Sequence, residues 1–274
     1  MGSDPIHITR SSSNDRNSMF TPRGKYLSVS NFRRLVTDLM HFSSKVPSVT
    51  LERRFSLATL VDARHACAQP PSWSAIFTKA YALVAARTPR LRSCYLSFPW
   101  QRFYENAVSI ATINIDRQLV DERIVVHAYI SAPETRSLAE LDAIINHHKH
   151  EPVENIPSYV RSHRLSMVPW PLRRWTWWAA LSILGPVRCR YFGTFGISSV
   201  CSFGSGILNL VPLLTSTIHY GMIDTAGHMP MRLAFDHRVI DAAAGAQALA
   251  DLEKVLLSEI LEECAATRLA ACAK

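Results

Sequence analysis

Near the C-terminal end the chain reads Phe235-Asp236-His237-Arg238-Val239-Ile240-Asp241, a histidine with a carboxylate four residues further on. Before it, Met231, Leu233 and Phe235 alternate with Arg232 and Ala234 as in a strand. After it, Ala248, Leu249, Leu252, Val255, Leu256 and Ile260 recur at helical spacing. Side chains at such a junction can project into a cleft, and a neutral imidazole placed there is suited to removing a proton near pH 7. The same spacing also describes a histidine simply satisfied by a local acid, so the surrounding elements must decide.

Other chemically capable groups are less pointed. Asn146-His147-His148-Lys149-His150 closes a helical pattern set by Leu138, Leu141, Ile144 and Ile145. Basic side chains favour the last turn of a helix, so this cluster reads as a solvated C-terminal turn and not as a metal site. The six cysteines form no CxxC pair and have no zinc-like spacing, which fits reduced thiols in a cytoplasmic protein. Trp170, Trp175, Trp177 and Trp178 crowd beside Arg173 and Arg174 in a stretch punctuated by Pro152, Pro157, Pro169 and Pro171. That stretch reads as an irregular loop, either packed or exposed as a surface for a lipid, an acyl chain or a partner.

Several elements must position these groups. Phe32, Leu35, Val36, Leu39 and Met40 make one apolar stripe of a helix from Asn31 to Ser44, ended by Pro47. Val49 to Leu57 reads as a strand, followed by a short helix over Ala58 to Ala66. Ser72 is placed to cap a helix carrying Trp73, Ile76, Phe77, Ala80, Leu83 and Val84, which Thr88-Pro89 stops. Val108 to Ile115 and Ile124 to Ile130 read as neighbouring strands, and further strands are expected at Phe192 to Val200 and Ile218 to Ile223. Strands and helices mixed without regular alternation give an α+β fold with a mixed sheet.

Gly193-Thr194-Phe195-Gly196-Ile197-Ser198-Ser199, a turn at Phe203-Gly204, Pro212, a strand into Gly221 and then FDHRVID follow in that order. This succession resembles the acyltransferase (E2) catalytic domains of 2-oxoacid dehydrogenases, with their GTFTIS-like strand and DHRxxDG motif, and the related chloramphenicol acetyltransferase. Leu27-Ser28 to Arg34, followed by Val46-Pro47-Ser48-Val49-Thr50, resembles the opening helix and strand of the same domains. The similarity covers most of residues 26 to 262. It implies a chloramphenicol acetyltransferase-like mixed β-sheet flanked by helices, a homotrimer, and active sites shared between subunits. In those sites His237 is the general base, Ser198 bonds the tetrahedral oxyanion, and Asp241 is an orienting carboxylate expected to pair with Arg33 or Arg34.

The chain also departs from that pattern. Ala242 stands where the family has glycine, and the tryptophan-rich stretch from about 157 to 190 is longer than the corresponding connection. No lipoyl-domain lysine turn, subunit-binding domain or Ala/Pro-rich linker precedes the core, and the C-terminal residues lack the apolar tail that joins such trimers into cages. The donor is therefore expected to be coenzyme A, as acyl-CoA, or a separate pantetheine or lipoyl carrier such as an acyl carrier protein, with no metal.

The chain has 274 residues, 48% of them apolar, which suits one domain. Residues 1–18 are polar and read as a disordered leader or added segment, leaving residues 19–274 as the catalytic domain. Lys and Arg outnumber Asp and Glu by 30 to 22, and the resulting +8 charge suits a phosphate-bearing donor. No nucleic-acid module is present among the scattered basic residues. The expected function is acyl transfer from a thioester to a hydroxyl, amine or thiol. The alternatives are a catalytically idle scaffold or partner-binding protein, and, on the tryptophans beside arginine, an enzyme at a membrane surface.

Overall fold

The computed structural model describes residues 24–119, 122–198, 207 and 210–272. The leader at 1–18 and the turn expected at Phe203-Gly204 lie outside them. In chain order the elements are α1 (Asn31–Ser43), β1 (Ser48–Ser56), α2 (Ala58–His65), α3 (Trp73–Arg87), β2 (Ser93–Leu96), β3 (Arg102–Glu105), β4 (Ile110–Gln118), β5 (Arg123–Ser131) and α4 (Leu138–His150). There follow α5 (Pro157–Met167), α6 (Trp170–Ser182), α7 (Gly185–Phe192), β6 (Phe195–Ser198), β7 (Ser216–Tyr220), β8 (His228–Asp236), α8 (Ala242–Val255) and, after a π-helical turn, α9 (Leu261–Cys272).

Six strands form one mixed sheet in the order β1-β8-β7-β6-β4-β5, while β2 and β3 make a separate hairpin. Within the large sheet β6 runs parallel to both β4 and β7, and the other pairings are antiparallel. The strand expected over Ile124 to Ile130 is realised as β5, with Ile124, Val126, Ala128 and Ile130 buried and Arg123 and Val125 exposed. Helix α3 packs on the sheet, with Phe77 stacked on Tyr220 at 4.8 Å and Tyr81 edge-on to Phe195 at 4.9 Å. Ser72 caps this helix, its hydroxyl accepting from Ala75 N. Helix α8 joins the same core because Gly245 lets it close on β8, where a Cβ would collide with the Phe235 ring.

The tryptophan-rich stretch is helical, which corrects the expectation of an irregular loop. Its prolines do not interrupt structure but begin it: Pro157, Pro171 and Pro186 each occupy the first turn of α5, α6 or α7. Those positions need no backbone N–H and favour the fixed φ of proline. Trp177 is buried, stacked parallel to Phe42 of α1 at 5.9 Å, while Trp170 and Trp175 are exposed. The strand expected from Phe192 is also corrected, since Phe192 ends α7 and β6 starts at Phe195.

An ionic cluster fastens these helices to α1. Asp38 is fully buried and accepts from Arg173 Nε and, at 2.9 Å, from Arg174 Nε. Arg173 is itself buried and also donates to the carbonyls of Ser166 and Val168 at 3.3 and 3.2 Å, tying α6 back to the end of α5. Removing one member of such a cluster strands a charge away from water. Asp38→Ala is therefore expected to cost about 3–5 kcal/mol in urea denaturation; a loss too small to measure would show that the cluster does not hold α1 to α6.

Candidate active site

The segment bearing His237 is locked from both sides. Asp236, fully buried at the end of β8, accepts from Arg238 N at 3.0 Å, Arg238 Nε at 2.8 Å and Arg238 Nη2 at 2.7 Å. The amides of Val239 and Ile240 return to the Asp236 carbonyl, and both side chains are buried. The His237 amide donates to Pro47 O at 2.9 Å, fastening the turn to the chain entering β1. The Arg238 guanidinium lies 4.5 Å above the Tyr95 ring. The backbone is thus fixed while the imidazole, edge-on to Phe235 at 6.0 Å, keeps 43% of its side-chain surface exposed. The ring is not sealed in hydrocarbon, and a reactant can reach it.

Asp241 caps the start of α8 with its side chain unbonded and 90% exposed. Its Oδ1 lies 3.9 Å from His237 Nδ1, beyond hydrogen-bonding reach. The expected partnership of Asp241 with Arg33 or Arg34 does not form. α1 turns its Asp38 face toward α6, and Arg33 instead lies 4.0 Å from Glu122, beside β5. Ala242 is the first residue of α8, a right-handed position that alanine favours, so no glycine is needed there.

Ser198 is the last residue of β6, and the approach to that strand is specified locally. Gly193 has φ of 89°, and a Cβ there would strike Thr112 Oγ1. Thr194 Oγ1 accepts from Ile110 N at 2.9 Å, splicing the strand onto β4. Sequence reasoning missed His219 on β7, which the register places beside Ser198. It is fully buried, with Nδ1 at 3.0 Å from Ser198 O and Nε2 accepting from Ile207 N at 3.1 Å. Arg232, next in the same row, donates to Ile207 O at 3.0 Å, so both backbone groups of residue 207 are held. A histidine within an otherwise uncharged strand, Ser216–Tyr220, was the only signal available.

The sheet brings His237 and Asp241 together but not Ser198. Ser198 pairs with His219, which pairs with Arg232. From Arg232 to Asp236 the chain runs four residues along β8, about 13 Å at roughly 3.3 Å per residue, and His237 follows in the turn. Ser198 therefore lies level with the middle of β8, while His237 follows the end of that strand, so the two are well separated within one chain.

No protein-family model matches this sequence, and no curated protein matches it. Solved structures do share its architecture. A probable dihydrolipoamide acetyltransferase from Listeria monocytogenes 4b F2365 aligns over 85% of this chain and 94% of its own, with 17% identity and a TM-score of 0.60. The dihydrolipoamide acetyltransferase of Azotobacter vinelandii, in a study of the roles of a serine, a histidine and an asparagine in its catalytic mechanism, aligns over 93% and 98% with 17% identity and a TM-score of 0.59. The cubic core of a pyruvate dehydrogenase multienzyme complex aligns over 93% and 98% with 16% identity and a TM-score of 0.57. The chain therefore has the fold of 2-oxoacid dehydrogenase acyltransferase cores.

Two histidines are held neutral by their surroundings. Burial lowers the pKa of His219, and Arg232 lowers it further against the opposing Ser198 carbonyl; burial alone takes His127 down to about 4. An unfolded histidine near 6.5 binds its proton first, so both groups stabilise the fold fully above that pH and lose the contribution as pH falls below it, His127 down to about 4. The thermal midpoint should fall between pH 6.5 and 4, and His127→Gln should flatten the fall; an identical pH profile in that variant would contradict the assignment.

Proposed function

We propose that the chain is an acyltransferase moving an acyl group between a CoA or carrier-protein thioester and a hydroxyl, amine or thiol acceptor. His237 takes the proton from the acceptor as its heteroatom attacks the thioester carbonyl. The Ser198 hydroxyl donates to the tetrahedral oxyanion. Collapse breaks the C–S bond, and the imidazolium returns its proton to the leaving thiolate, so no acyl-enzyme forms. Asp241, 3.9 Å from the ring, stands where it can orient the imidazole once a substrate is bound.

The observation that carries this reading is the presentation of an exposed imidazole on a locked turn, on a fold shared with acetyltransferase cores. The separation of His237 from Ser198 supports an oligomeric active unit, a homotrimer in which each site takes His237 from one copy and Ser198 from the next. The cubic core among the structural neighbours supports assembly of this kind.

Ser198→Ala is expected to lower turnover by about 100- to 1,000-fold and His237→Ala by about 100- to 10,000-fold, with the fold retained. Co-expressing the two variants in equal amounts should restore about a quarter of wild-type turnover, because every mixed ring of three holds one intact site. Mixed oligomers no more active than either parent would refute the shared site.

A further inference from the structure

A pocket of about 210 Å³ opens beside the His237 turn and is lined by Phe42, Lys45, Tyr95, Trp178, Arg188 and Arg238 among others. Val46 and Arg238, on its wall, directly flank Pro47 and His237, whose backbones are hydrogen-bonded to each other. The pocket thus adjoins the turn that presents the imidazole.

Its charge is unbalanced. Arg188 is buried, yet among the described residues its guanidinium meets no carboxylate: Nη1 donates to the carbonyls of Tyr95 and Leu181 at 2.7 and 3.1 Å, and Nη2 to that of Leu213 at 3.1 Å. These bonds use three of its five N–H donors and leave Nε and one hydrogen of Nη2 uncommitted. Lys45 Nζ lies 3.0 Å from His41 Nε2 and 5.7 Å from the centre of the Phe42 ring, again without a carboxylate. Among the described residues only Arg238 of the three has an anionic partner, Asp236. Three cations against one buried carboxylate, in a recess walled by two aromatic rings and an indole, form a receptor for an anion on a flat apolar body.

We propose that this pocket binds a carboxylate or phosphate group carried on an apolar body, belonging to a substrate of the reaction at His237. The assignment of that anion to a reacting molecule rests on the acyl-transfer reading; the binding itself does not. Clefts that enclose a whole drug-sized ligand start at roughly 300 Å³, so this pocket takes the anionic end of the substrate and the flat apolar part next to it. The remainder extends along the surface toward the imidazole.

Calorimetric titration of the full chain with benzoate, phenyl phosphate and the neutral isostere benzamide tests the proposal. At least one of the two anions should bind about tenfold or more tightly than benzamide, and the tighter of the two identifies the group. Arg188→Met removes three carbonyl contacts and endangers folding, so the exposed Lys45→Met carries the comparison, with circular dichroism as the control. It should weaken anion binding about threefold or more and leave benzamide unaffected. Benzamide binding as well as the anions, or Lys45→Met binding them as well as wild type, would overturn the proposal. Absence of anion binding in a chain that turns over thioesters sinks this inference alone. Anion binding in a chain that turns over no thioester sinks the acyl-transfer reading alone.

Discussion

Strand direction is the constraint from which the functional geometry follows. β7 lies between β6, which runs parallel to it, and β8, which runs antiparallel. Ser198 closes β6 level with Arg232 in the middle of β8, whereas His237 follows the end of β8, so hydrogen-bond register alone keeps them apart within one chain. Neither a rotamer change nor a loop movement brings them together, because the register is fixed by buried side chains such as Phe195, Ile218 and Leu233. A chemistry that needs both residues must recruit a second copy, and the exposure of His237 leaves its ring available to one.

The same economy governs the helices between β5 and β6. Their sequence contains charges that would be costly to bury alone, and they are accepted because each guanidinium finds specific acceptors. Arg173 and Arg174 share Asp38, while Arg188 caps three carbonyls from three separate segments. The first arrangement is internally neutral but for one charge. The second leaves a cation facing a recess, and that asymmetry separates a structural arginine from one disposed toward a ligand.

Much of the sheet was legible because its strands carry one buried face. The alternation around Met231, Leu233 and Phe235 reproduces a period of two that water imposes, and Ile124 to Ile130 carries the β-branched and aromatic residues that strands favour. The position of His237 between a strand and a helix was legible for the same reason. α5 to α7 were not, because Pro157, Pro171 and Pro186 read as breaks when each sits in a first helical turn. The β2–β3 hairpin escaped notice, as four-residue strands show too little alternation. Asp38 carries no signal of its own in the sequence, since its partners Arg173 and Arg174 lie far along the chain. Asp241 was assigned the wrong partner because helix orientation, which sends Arg33 toward Glu122, cannot be read from spacing. The Lys45, Arg188 and Arg238 recess draws on segments distant in sequence and leaves no motif.

The central claim is that the exposed imidazole on its locked turn removes a proton so that an acyl group can leave sulfur. Free thiol released from a panel of acyl thioesters, offered hydroxyl, amine and thiol acceptors and followed for wild type and His237→Gln, addresses it most directly. Wild type should release thiol in an acceptor-dependent way, and the variant should nearly lose that release. Equal release by both proteins, or none by wild type from any thioester, would contradict it and leave the fold serving as a scaffold.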